Sequence, residues 1–300
     1  MFALNLPCFT LISTTPLRSP PIPSLLSALP LLLLSTAVFS PNSRDHFKRA
    51  VRNCLERSPE GNCSAGAYGP IAEWDCSRGV TNMDSTFYGA SSFKADLSQW
   101  DVSHVTNMRS MFHDASSFEA DLSRWNVSRV TDMSTMFAFA SSFNADLSRW
   151  DVSRVAKMSS MFHHASSFEA DLSKWDVSHV TNMKLMFHGA SSFEADLSQW
   201  DVSRVTDTSM MFAFASSFNA DLSLWDVSRV QNMASMFHAA SSFNADLSKW
   251  IFSAYANTKG MFAYANSFKQ MLCSETWVKN KYKHSENMFM NSPGSISKGV

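Results

Sequence analysis

Histidine recurs at one place in a repeating phrase, at His113, His163, His188 and His238, with His164 beside the second. Imidazole nitrogens suit borderline divalent metals, so a row of them at fixed spacing raises metal chemistry first. Ala138 and Ala213 interrupt the row, which leaves His163 with His188, or with His164, as the only neighbours that could share an ion. The row reads as a solvated helix face, and no metal site is expected. The 18 Met, in rows such as Met108, Met133, Met158, Met183 and Met233, would suit a soft metal, but beside Phe they read as core. Asp96, Asp121, Asp146, Asp171, Asp196, Asp221 and Asp246 form an acidic column. Like charges stacked at ~4.8 Å repel by about 1 kcal/mol per pair even in water, so something must offset them. Backbone N–H groups in the turn before each Leu-Ser can do so. A row of calcium ions is the alternative, and the Gly-rich phrase of calcium repeats is missing. Ser is abundant in every repeat, but no Ser, His and Asp set is unique as a nucleophile site would be. With only nine Gly there is no phosphate-cradling loop. Neither enzymatic activity nor a cofactor is expected.

The elements that must position these columns follow from a period of 25 residues, marked by Trp100, Trp125, Trp150, Trp175, Trp200, Trp225 and Trp250. Such a period means stacked units sharing one core. Leu122, Trp125, Val127 and Val130 fit the leucine-rich-repeat phrase, and Trp125 and Val127 alternate with Asn126 and Ser128 as a short half-buried strand would. Thr131 then reads as an N-cap, and Met133, Met136, Phe137 and Ala140 as one stripe of a short helix. Ser141 and Ser142 end it, and Phe143, Ala145 and Leu147 return extended. Where a typical leucine-rich repeat carries an Asn ladder, this chain has Val105, Val130 and their equivalents, so Ser and Thr hydroxyls must satisfy the backbone there. The expected fold is an α/β solenoid, a leucine-rich-repeat-like right-handed superhelix of about nine rungs, each a short parallel strand plus a short helix, with an N-terminal helical cap.

The phrases FNADLSRWDVSRV and VTNMKLMFHGASSF resemble the repeats of BspA-type leucine-rich-repeat surface proteins, over roughly residues 45 to 300. The resemblance implies a secreted or surface-displayed repeat protein, with adhesion to host proteins known for some bacterial members. No catalytic residues come with it. Within the chain, a block of 75 residues has been duplicated: the rung at 100–124 differs from that at 175–199 only at Arg109/Lys184, Ser110/Leu185, Asp114/Gly189 and Arg124/Gln199. Sameness between rungs therefore records copying as well as physical need.

The ends are organised differently. Residues 1–37 read as a signal peptide, with an apolar core from Leu25 to Leu34 followed by small residues and cleavage near Val38. The alternatives are an uncleaved membrane anchor and a plastid presequence. Residues 38–73 read as an N-terminal cap, in which Phe47, Ala50, Val51 and Cys54 lie at helical spacing from Arg44 to Arg57. Residues 74–276 form the repeat solenoid and 277–300 a degenerate capping repeat retaining Trp277, Tyr282, Met288 and Phe289. Cys54 and Cys63 are a disulfide candidate, with free buried thiols the other reading; Cys76 reads as a buried thiol. Asn62 and Asn126 begin glycosylation sequons.

A net charge of -1 gives no bulk electrostatic case for nucleic acid or an anionic membrane. Charge is instead arranged in columns: Arg124, Arg149 and Lys174 in one, His104, Arg129, Arg154, His179, Arg204 and Arg229 in another, each beside Asp. Placed on the strand face, they read either as a mutually compensated solvated sheet surface or as an extended strand face that recognises a protein or an acidic glycan. The expected function is a non-enzymatic secreted or cell-surface recognition and adhesion solenoid. The alternative is a cell-wall or matrix protein that assembles through rod contacts. The sequence leaves the oligomeric state open, and a membrane enters only through an uncleaved signal anchor.

Overall fold

Apolar residues come at nearly every third place in a rung, and that spacing winds the chain around its own side chains. The computed structural model describes residues 38–280 and 284–297. From Leu122 onward, Trp125, Val127, Val130, Met133, Met136, Phe137, Ala140, Phe143 and Leu147 are all buried. The intervening polar pairs form tight turns, each closed by an amide bonding the carbonyl three residues back. Trp125 N reaches Leu122 O at 3.0 Å, Val130 N reaches Val127 O at 2.8 Å, Met136 N reaches Met133 O at 3.2 Å and Phe143 N reaches Ala140 O at 3.1 Å. Each rung is thus a polygon of turns with an apolar residue at its inner corners.

The expected helix is absent. Thr135 and Phe139 have φ values of 56° and 60°, and their equivalents in the other rungs are also left-handed. Two left-handed residues within one stripe break the α-helix, because L-residues adopt that conformation only singly. Its amides point instead at the next rung: Ser110 N donates to Ser134 O at 2.9 Å, Phe112 N to Met136 O at 2.9 Å and Asp114 N to Ala138 O at 2.7 Å. The parallel pairing expected at Trp and Val lies here too. Single bridges run from Asn82 through Asn107, Asp132, Lys157, Asn182, Asp207 and Asn232 to Asn257. The Trp125–Val127 stretch keeps the burial alternation of a strand but belongs to no ladder.

The indole takes over where the backbone does not pair. Trp125 Nε1 donates to Leu97 O at 2.9 Å, and Trp150, Trp175, Trp200 and Trp225 repeat this one rung on, at 3.0 Å each, to Leu122, Leu147, Leu172 and Leu197. Consecutive indoles stack with centroids 6.4 to 6.5 Å apart from Trp125 to Trp200. Hydroxyls complete the inter-rung bonding. Thr131 Oγ1 donates to Thr106 O at 3.2 Å, and Ser116, Ser141, Ser166, Ser191, Ser216 and Ser241 each donate to the Ser carbonyl one rung back. These hydroxyls stand in for the amide ladder that the Val column cannot supply.

The ends close the shaft. Helix α1 (Arg44–Leu55) is capped by Ser43, whose Oγ accepts from His46 N at 3.2 Å, and it buries Phe47, Ala50, Val51 and Cys54. Cys54 and Cys63 form a disulfide with Cα atoms 5.4 Å apart, while Cys76 is a buried free thiol and Cys273 an exposed one. At the far end β1 (Met271–Leu272) pairs in parallel with β2 (Ser295–Ile296), and α2 (Glu275–Asn280) buries Trp277. Val38–Val300 is one compact unit. The signal-peptide reading of residues 1–37 and the packing of Tyr282 lie outside the described residues. Among the described residues no helix is long and apolar enough to cross a membrane.

The indole ladder separates volume from hydrogen bonding. Trp175→Ala should destabilise by roughly 3 to 5 kcal/mol through the cavity it leaves. Trp175→Phe refills most of that space but strands the Leu147 carbonyl, which should still cost about 1 to 3 kcal/mol. Chemical denaturation of both variants checks this, and a Phe variant as stable as the parent would show the indole N–H to be dispensable.

Candidate functional site

The nine basic residues singled out by spacing all lie on turns, not on a strand. Each follows the first residue of a two-residue turn whose amide is held by the acid or amide side chain two places earlier. Ser103 N donates to Asp101 at 2.9 Å, Ser153 N to Asp151 at 3.1 Å, Ser178 N to Asp176 at 3.0 Å and Ser228 N to Asp226 at 3.0 Å. The other acidic column does the same: Asp96, Asp121, Asp146, Asp171, Asp196, Asp221 and Asp246 accept from the Ser amide two residues on, at 2.8 to 2.9 Å. The Asp columns are thus turn clasps. Arg124, Arg129, Arg149, Arg154, Lys174, Arg204 and Arg229 are exposed and make no side-chain hydrogen bond or ion pair among the described residues. His104 and His179 are exposed too, each with its ring nitrogen against the preceding Ser hydroxyl.

The clasps also set the local electrostatics. The Ser123 amide and hydroxyl hold Asp121 below the ordinary carboxylate range, with a smaller contribution from Arg124. Ser148 does the same for Asp146, helped by Arg149 and Lys174, and Ser173 for Asp171, helped by Lys174. Asp146 slightly raises the values of Asp121 and Asp171, and the cations offset this repulsion between stacked carboxylates.

A second surface feature was not foreseen. Rings line one edge of the shaft from rung to rung: Tyr88 stacks on His113 at 4.5 Å, His113 meets Phe139 at 5.6 Å, and Phe139 meets His163 at 4.8 Å and His164 at 5.1 Å. The row continues from His188 to Phe214 at 5.3 Å, on to His238 at 5.2 Å and to Tyr264 at 5.4 Å. The histidines are not on a solvated helix face, as their spacing suggested, but half-buried between these rings. The left-handed backbone of the neighbouring residue turns the edge of each rung, which brings Phe139, His164, Phe214 and Tyr264 beside the His column. Gly89 and Gly189 in that same place were the available signal of a left-handed turn.

Burial lowers the pKa of His113, His163, His188 and His238, and for His163 burial plus the nearby His188 and His164 brings it down to about 4. The Nδ1 atoms of His113 and His188 are buried without a hydrogen-bond partner. Where His163 and His164 meet His188 in the next rung, one ligand-type nitrogen from each lies within 4.8 Å of the others.

At the N-terminal cap a cavity of about 340 Å³ is lined by residues including Asn53, Arg57, Asn62, Tyr68 and Trp74, beside the disulfide. Asn62 is exposed. Asn126 is exposed as well, with Oδ1 accepting from the Ser128 amide at 3.2 Å and hydroxyl at 2.7 Å.

A buried shaft of repeated apolar corners and an outer surface of exposed turns define a tandem-repeat protein. The chain belongs to the family described as Mycoplasma protein of unknown function, DUF285, whose model matches residues 60–173, 145–225 and 197–297. No curated protein matches it. Among solved structures, the crystal structure of a TLR13-ssRNA13 complex aligns over 73% of this chain at 11% identity, with a TM-score of 0.28. The alignment spans 38% of that protein.

The lowered pKa values fix a direction for acid sensitivity. A neutral histidine favoured by the fold contributes stability above its usual 6.5, and this is lost as pH falls toward about 4 for His163. The clasped aspartates contribute above their usual 3.8, and this is lost as pH falls further. The melting temperature should therefore fall in two stages on acidification. His163→Ala, with the residue found at Ala138 and Ala213, should shrink the first stage and leave the second; an unchanged profile would contradict the burial of His163.

Proposed function

We propose that this is a non-enzymatic recognition solenoid of the BspA type, secreted or displayed at a cell surface, that binds a protein or acidic glycan through its basic turn ridge. The observation that supports it is the contrast between columns. Trp, Val, Met, Phe and Leu are committed to the shaft and Asp to the turn clasps, whereas seven Arg and Lys stand exposed without a bond or ion pair among the described residues. Beyond a minor electrostatic contribution from Arg124, Arg149 and Lys174 to the neighbouring aspartates, no contact of the fold uses those cations, and a repeated cation on a rigid scaffold presents charge at fixed spacing to an extended partner.

A second reading, a wall or matrix protein assembling through rod contacts, is favoured by Leu224 and Ile251, which are 73% and 69% exposed where neighbouring rungs carry Gln199 and Lys249 in the first column and Asp226 in the second. Crosslinking of the tagged protein in the surface fraction distinguishes the two, by a specific partner or by copies of itself.

Changing Arg129, Arg154, Arg204 and Arg229 together to Ser should leave folding within about 1 to 2 kcal/mol, since exposed substitutions are individually small. Binding to the crosslinked partner should weaken and lose most of its salt dependence. A variant that unfolds, or binds with unchanged affinity, would move the recognition surface away from this column.

A further inference from the structure

We propose that His163, His164 and His188 form a binding site for a borderline divalent metal such as zinc, one that ties two adjacent rungs together. The three residues each offer a nitrogen within 4.8 Å of the others, and their rings lie 4.7, 4.8 and 5.1 Å apart. Two come from one rung and the third from the next. Four-coordinate zinc holds imidazole nitrogens at 2.0 to 2.1 Å, which places them about 3.3 Å from one another in a tetrahedron. The nitrogens must close by up to roughly 1.5 Å, which takes small side-chain rotations of the half-buried His163 and His188 as well as of His164, which is exposed. Three imidazoles leave a fourth position for water or an incoming ligand. An all-nitrogen set suits zinc, copper, nickel or cobalt and not calcium or magnesium, which take oxygen.

Two further observations point the same way. His188 Nδ1 is buried with no side-chain hydrogen-bond partner, a feature it shares with His113 Nδ1, but only at His188 do two further imidazoles converge. Gly189 provides the space. It has φ 69°, the place in the rung that Phe139, Phe214 and Tyr264 occupy with φ of 60°, 60° and 61°. A Cβ at Gly189 would lie 2.5 Å from His164 Nδ1, so any side chain there would displace the ring from its neighbours. The other histidines of the column stand differently: His113 lies between Tyr88 and Phe139, and His238 between Phe214 and Tyr264. Among the described residues this is the one convergent set of three.

The experiment is calorimetric titration of the full chain, without a polyhistidine tag, with zinc chloride, followed by cobalt absorption spectra. One zinc per chain is expected, with a tetrahedral cobalt band and a higher melting temperature in zinc. His164→Phe, which installs the residue of Phe139 and Phe214, and His188→Ala, which installs that of Ala138 and Ala213, should each weaken zinc binding about tenfold or more. Both should melt like the parent without metal, which separates loss of a ligand from loss of fold. Absence of zinc binding would overturn the site. So would binding that persists in the triple variant His163→Ala, His164→Phe, His188→Ala, because the ion would then sit elsewhere.

Discussion

A carbonyl oxygen of each rung waits for an indole N–H that arrives 28 residues later. The Leu-to-Trp bond binds on the side of the shaft where the backbones form no ladder, so the side chain must both fill the core and donate. Only Trp does both, since Phe fills the space but has no donor and Tyr carries its hydroxyl at the far end of the ring. Register follows from the same bond. Where the spacing changes, at the two ends, the bond persists: Trp100 Nε1 donates to Ile71 O across 29 residues and Trp277 Nε1 to Leu247 O across 30, both at 3.0 Å. The shaft therefore tolerates variation only at places that neither point inward nor donate between rungs.

The opposite side is held by backbone bonds that the left-handed residues make possible. Thr135, Leu185 and Phe139 adopt a conformation that L-residues normally avoid, at roughly 1 to 2 kcal/mol each. The bonds it frees toward the neighbouring rung offset that cost. At Thr135 the side chain helps, its Oγ1 donating to Ser134 O at 2.6 Å and lying 2.6 Å from Ser110 Oγ. A rung cannot leave this geometry alone, because its amides would lose partners on the next rung.

Much of this was legible in the residues, and the part that was not has a definite physical cause. The inward Trp, Val, Met and Phe, the cap helix buried through Phe47 and Val51, and the Asp residues as turn acceptors follow from type and spacing. The short helix did not, because spacings of three and four apolar residues are shared by an α-helix and by a chain of three-residue corners. Periodicity cannot separate the two, since each places Met133, Met136, Phe137 and Ala140 on one side. Backbone preference can: Gly89, Gly189 and Gly260 fall in two columns, and a left-handed residue in one rung implies the same in all. The ring ridge was hidden by the same misreading, which sent the His column toward solvent and left Phe139, Phe214 and Tyr264 unassigned.

The duplicated block supplies an internal control on which exposed places are free to change. Between the rungs at 100–124 and 175–199 every difference lies on the outside of the shaft or at a left-handed corner: Arg109/Lys184, Ser110/Leu185, Asp114/Gly189 and Arg124/Gln199. The copies of His163 and His188 are His238 and His113, which remain histidine, while the copies of His164 and Gly189 are Ala239 and Asp114. Copying alone would have kept either pair together, and the core imposes nothing on either place, since Asp, Phe, Ala, Tyr and Gly all occur there. The two changes that separate the copies at this corner are the ones on which the three-histidine convergence depends, the added imidazole and the vacated side chain beside it. A scaffold that fixes its interior through an indole and its edge through left-handed corners leaves such corners as the positions where new chemistry can be acquired without disturbing the stack.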